Sequence, residues 1–96
     1  MSHVLYHFKV EDYARWKSVF DEDPLGRATN GSRGGYVFRS ANDPNEVVVL
    51  LEWDEDKLEN LRQLNQSPNY NEVQERSGYT EKPDVYVLEV DDKPSV

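Results

Sequence analysis

His3 and His7 are the only imidazoles in the chain and its only side chains that ordinarily titrate close to neutrality, since there is no cysteine. At strand rise their spacing sets them about 13 Å apart, too far to share a metal ion. His7 has the chemistry of a general base near pH 7; its competing role is a polar residue hydrogen-bonded at a sheet interface or pocket rim. His3, beside the terminus, is expected in solvent. Arg39 and Glu52 are charges set in strand-like runs. They are expected to pair across a hairpin, or Arg39 meets a ligand carboxylate or phenolate and stabilises a developing oxyanion. Tyr70, Trp53 and Trp16 combine flat apolar bodies with polar tips, the inventory that stacks on and orients a flat aromatic ligand. The candidate site is therefore His7 and Tyr70 as catalytic groups, with Trp53, Arg39, Glu52 and Trp16 as ligand contacts.

Other chemistries are disfavoured by what the sequence lacks. Without cysteine there is no disulfide, thiolate metal site or cysteine nucleophile. Asp54-Glu55-Asp56 lacks the spacing of a calcium loop, and Gly31-Ser32-Arg33-Gly34-Gly35 lacks the preceding strand and following helix of a phosphate loop. No metal and no cofactor is expected. A net charge of −8 repels phosphate backbones and anionic headgroups, so neither nucleic acid nor membrane is an expected partner. The acidity suits solubility or a high-salt habitat, and a cytoplasmic location is expected from the absence of cysteine, leader and long apolar span.

The elements that position these residues follow from periodicity. His3 to Val10 alternates and predicts a first strand. Glu11 and Asp12 open a helix carrying Tyr13, Trp16, Val19 and Phe20 to about residue 21 or 23, and a short helical turn is expected over Leu25 to Ala28. Tyr36 to Ser40 is a short strand, joined by the turn cluster Asn42 to Asn45 to a third strand over Glu46 to Asp54. That third strand is apolar on both faces, with Val47, Val49 and Leu51 on one and Val48 and Leu50 on the other. Asp54-Glu55-Asp56 starts a second helix with Leu58, Leu61 and Leu64 on one stripe. Ser67 caps a further turn with Pro68 at its first position, sending Tyr70 and Val73 inward, and Gly78 ends it. Val85 to Val90 is the last strand, and residues 91–96 form a frayed tail.

Ninety-six residues in this order make one domain spanning residues 1–96, an α+β βαββαβ chain. The expected fold is ferredoxin-like: a four-stranded antiparallel sheet, the first and third strands central, two main helices on one face. Helices cover one face only, so the apolar second face calls for another copy of the chain, a homodimer through the sheet face.

Two short motifs add a likeness. Glu52-Trp53-Asp54 at the strand end and Ser67-Pro68-Asn69-Tyr70 after the second helix resemble those of the dimeric α/β-barrel superfamily, within it the antibiotic-biosynthesis-monooxygenase-like proteins. The resemblance implies a small-molecule-binding homodimer, acting as a cofactor-independent monooxygenase or cyclase on an aromatic, polyketide-like substrate. Its alternative is a non-catalytic ligand sensor or interaction module of the same fold, and the sequence leaves open whether the chain is an enzyme. The position of the histidine in the haem-degrading members is Leu64 here, which speaks against haem.

Overall fold

The computed structural model describes residues 2–96. The elements run β1 (Ser2–Lys9), α1 (Tyr13–Glu22), β2 (Ser32–Arg39), β3 (Glu46–Trp53), a 3-10 turn (Glu55–Lys57), α2 (Leu58–Gln66), α3 (Pro68–Ser77) and β4 (Asp84–Leu88). One antiparallel sheet has the order β2-β3-β1-β4, which puts the two strands richest in apolar residues at its centre. The architecture is ferredoxin-like α+β.

Strand alternation decides everything about the site. On β1, Ser2, Val4, Tyr6 and Phe8 face the helices, as do Val47, Val49, Leu51 and Trp53 on β3. Val4, Phe8, Val47, Val49 and Trp53 are at most 2% exposed, each large apolar side chain contributing on the order of 1.5–3 kcal/mol by leaving water. Register places Leu5 opposite Leu50 and Tyr86, Val48 opposite Phe38, and Leu50 opposite Tyr36, so these share the other face. No element of the described residues lies on that face, and Tyr36, Phe38 and Tyr86 are 65%, 49% and 53% exposed. The molecule measures 34 × 34 × 20 Å, its short axis matching one helix layer on one sheet.

Several local expectations change. The first helix begins at Tyr13 because the Asp12 carboxylate accepts from the Ala14 amide at 2.9 Å, an N-cap. Residues 24–30 form turns, with one helix-type bond from the Asn30 amide to the Gly26 carbonyl, while the Asp23 carboxylate takes the Arg27 amide and the Asn30 side chain takes the Leu25 carbonyl. The second strand is longer than Tyr36 to Ser40, running through Gly34-Gly35 with an irregular register. The break expected at Ser67-Pro68 is present, Ser67 ending α2 and its hydroxyl capping α3 by accepting from the Tyr70 amide at 3.2 Å with Pro68 at the first position; the capped piece is a full helix to Ser77 rather than a single turn. Asp91 to Val96 carries no regular structure. No helix among the described residues is long and apolar enough to cross a membrane.

Candidate functional site

A cavity of about 80 Å³ lies between the sheet and the helices. Tyr6, Phe8, Val49, Leu51 and Trp53 form its floor, and Trp16, Phe20, Leu64, Asn65, Tyr70 and Val73 stand over it. The floor exists because the odd residues of β3 and the even residues of β1 pair on the helix face. The cover exists because α1 buries Trp16 and Val19, while the Ser67-Pro68 break turns α3 so that Tyr70 and Val73 point back toward the sheet. Arg15 ties α3 to α1 by donating to the carbonyls of Arg76 and Glu75 at 2.9 and 3.2 Å.

The aromatic walls are mutually braced. Trp16 stacks on Phe20 with centroids 4.9 Å apart, and Phe8 stacks on Tyr79 at 4.6 Å. Trp53 is fixed at its polar end, its indole donating to the Lys57 carbonyl at 3.1 Å. Gly31 permits this. Its φ of +123° suits glycine, and a Cβ there would stand 2.7 Å from the Trp53 indole nitrogen.

The polar atoms of the cavity are mostly donors. Tyr6 donates its hydroxyl to Asn65 Oδ1 at 3.1 Å, and Trp16 Nε1 donates to the Tyr79 hydroxyl at 3.4 Å. The Tyr70 hydroxyl is buried with no hydrogen-bond partner of proper geometry. Burial pushes the phenols of Tyr6, Tyr70 and Tyr79 above the ordinary tyrosine value, Tyr6 and Tyr79 the most. For Tyr6 the neighbouring Tyr70 adds to burial and the Asn65 bond opposes it; for Tyr70 the nearby Gln74 amide offsets part of the effect. All three phenols are therefore neutral near pH 7 and do not act as bases; Tyr70 and Tyr79 keep a hydroxyl proton to donate to a ligand oxygen, while that of Tyr6 goes to Asn65. Among the described residues, Arg27 is the only charged one in the lining.

The structure brings Tyr70, Trp53 and Trp16 together and leaves His7, Arg39 and Glu52 elsewhere. His7 lies on the uncovered sheet face, Nε2 3.0 Å from Glu46 Oε2 and Nδ1 3.9 Å from Asp84 Oδ2, with a full strand thickness between it and Tyr70. Glu52 is on that same face, its Oε1 3.9 Å from His3 Nε2, and the His3 side chain is 22% exposed rather than solvated. Arg39 and Glu52 do not pair. Register sets Arg39 opposite Val47 on the helix side, where its guanidinium lies 3.9 Å over the Tyr13 ring and Nε donates to the Pro44 carbonyl.

Tyr79 and Arg27 belong to the site without having been singled out from sequence. Tyr79 follows Gly78, which ends α3 in the left-handed conformation, and the Gly78 and Tyr79 amides bond back to the Glu75 and Gln74 carbonyls. An apolar residue just past such a glycine commonly packs back on its own helix, which is the signal that would have found it. Arg27 sits in an irregular turn and had no periodic signal.

No protein-family model matches the chain, and neither does any curated protein sequence. Solved structures do match. A candidate antibiotic biosynthesis monooxygenase from Bordetella bronchiseptica is 18% identical over 93% of this chain and 95% of its own, with a TM-score of 0.71. SnoaB from Streptomyces nogalater, a cofactor-independent oxygenase, is 17% identical over 99% and 97%, also with a TM-score of 0.71. Rv0793 from Mycobacterium tuberculosis is 19% identical over 98% of each chain, with a TM-score of 0.66. The fold is that of the antibiotic-biosynthesis-monooxygenase-like proteins, and at these identities the likeness carries the fold alone.

Proposed function

We propose that this protein is a homodimeric small-molecule-binding α/β-barrel protein whose cavity takes one flat, aromatic ring bearing an oxygen acceptor, such as a quinone or phenol. The observation that supports it is the Tyr70 hydroxyl. A buried hydroxyl without a partner costs on the order of 1–3 kcal/mol, a cost that a ligand oxygen would relieve. Trp16 and Trp53 supply the stacking surface, and Tyr6 and Tyr79 lie beside the same space.

The dimer reading rests on the uncovered face. Leu5, Val48, Leu50, Tyr36, Phe38, Tyr86 and Leu88 make a continuous apolar patch there, with His3, His7, Glu46, Glu52 and Asp84 around it. Two such faces stack at about 10 Å, the spacing of packed sheets.

Oxygenase chemistry is a second reading, favoured by the fold shared with SnoaB. The lining has no imidazole or carboxylate to remove a proton, so a substrate would have to ionise by its own acidity, its oxyanion accepting from Tyr70. Tryptophan fluorescence titrated with a naphthoquinone, for the wild type and Tyr70→Phe, tests binding. Oxygen consumption with acidic phenols tests turnover. Absence of any quenching or uptake removes the ligand reading and leaves a structural dimer.

A further inference from the structure

The inner cavity is too small for an ordinary ligand by itself. Binding sites for small molecules run on the order of 300–1,000 Å³, against about 80 Å³ here. A second, outer groove of about 420 Å³ lies between the turn after α1 and strand β2. Phe20, Arg27 and Leu51 line both spaces, so the groove adjoins the cavity and Arg27 stands between them.

This mouth does not share the acidity of the molecule. The chain carries −8 overall, yet the outer groove is lined by two cations, Arg27 and Arg33, and one carboxylate, Asp23. Asp23 is largely engaged by backbone, its two oxygens accepting from the Arg27 amide at 2.9 and 3.1 Å. Its contact with the Arg27 guanidinium runs to Nη1 at 3.3 Å, and Nη1 also donates to the Phe20 carbonyl at 3.1 Å. Nε and Nη2 of Arg27 donate to no hydrogen-bond partner among the described residues, leaving one edge of the guanidinium fork available. The group is held in place by the Phe20 ring, 3.7 Å beneath it. Arg33 is exposed and paired with the Asp54 carboxylate at 2.8 Å, so Arg27 is the cation that the groove offers a ligand.

We propose that the mouth of the cavity is an anion subsite, in which the free edge of Arg27 receives the carboxylate of a ligand whose ring lies between Trp16, Trp53 and Tyr70. The inference rests on the cavity being a ligand site and adds the chemical class: a flat aromatic acid, apolar at one end and anionic at the other. An arginine fork matches a carboxylate in two parallel hydrogen bonds, which a neutral amide cannot reproduce. The same arrangement sets the orientation, ring inward and acid outward, because the inner lining has donors but no cation beyond Arg27.

The test is calorimetric titration of the full chain with 2-naphthoate and with its neutral analogue 2-naphthamide, for the wild type, Arg27→Met and Arg27→Lys, each checked for an unchanged thermal transition. The expected wild-type result is roughly tenfold tighter binding of the carboxylate, a preference that shrinks as salt is raised. In Arg27→Met the preference disappears while the amide binds as before, and Arg27→Lys keeps part of it. Equal binding of the two probes by the wild type overturns the anion subsite and leaves the cavity reading standing. A preference that survives in Arg27→Met, or that is indifferent to salt, also overturns it; the salt series decides if that variant does not fold. Binding of neither probe overturns the subsite and the cavity reading together.

Discussion

Replacing Tyr70 by phenylalanine should make the ligand-free protein more stable and a worse binder. The change deletes one buried oxygen whose contact with the Gln74 amide is not a well-aligned hydrogen bond, and leaves the ring where it packs against the cavity. Burying such a hydroxyl costs on the order of 1–3 kcal/mol. Part of that is returned by the small void that its removal creates, so a net gain of about 1 kcal/mol is expected. In a domain of this size that raises the melting temperature by roughly 4–8 °C. The same deletion removes the donor to a bound carbonyl, worth about 0.5–1.5 kcal/mol, and weakens quinone binding by about two- to thirteenfold. Differential scanning calorimetry of the free protein and fluorescence titration with a naphthoquinone read the two effects separately. A variant that melts several degrees below the wild type would refute the reasoning, because it would mean that the hydroxyl is satisfied in the folded state. Gln74, the group that tempers the Tyr70 phenol, is the natural partner in that event, and Gln74→Ala would then show the same loss.

Two further outcomes follow from the sheet and the phenols. Phe38→Lys, at a half-exposed position on the uncovered face, should turn the proposed dimer into a folded monomer, seen as halved mass by light scattering with an unchanged circular dichroism spectrum; the wild type running as a monomer would contradict it. Alkaline pH should unfold the protein through Tyr6, Tyr70 and Tyr79. Their folded pKa values lie above the unfolded value of 10.0, so the folded chain holds protons that the unfolded chain has lost. Stability is full below about pH 10 and falls above it, by up to about 1.4 kcal/mol per pH unit for each phenol. Denaturant midpoints across that range check the slope, which should be shallower in Tyr6→Phe.

How far the fold was legible depended on signals that are local. The apolar run Val47 to Leu51 reported a strand at the centre of the sheet, and Ser67-Pro68 announced a cap that the structure forms. The strand alternation also held the information that His7 sits with Leu5 and not with Tyr6 and Phe8. What it lacked was the knowledge of which face the helices take, and the aromatic side chains Tyr6, Phe8 and Trp53 settle that by their bulk. Arg39 was misplaced for a different reason. Its face depends on the register of β2 against β3, which the length of the Asn42 to Asn45 turn sets and composition does not reveal. Arg27 and Tyr79 lie in turns held by side-chain-to-backbone and capping bonds, where no periodicity points inward.

The most direct measurement is a crystal structure of the protein grown with a naphthoquinone. The ring should lie between Trp16 and Trp53 on the helix side of the sheet, with one quinone oxygen within hydrogen-bonding distance of the Tyr70 hydroxyl. A ring bound against the Tyr36 and Phe38 face, or a cavity still empty at saturating quinone, would contradict the assignment of the site.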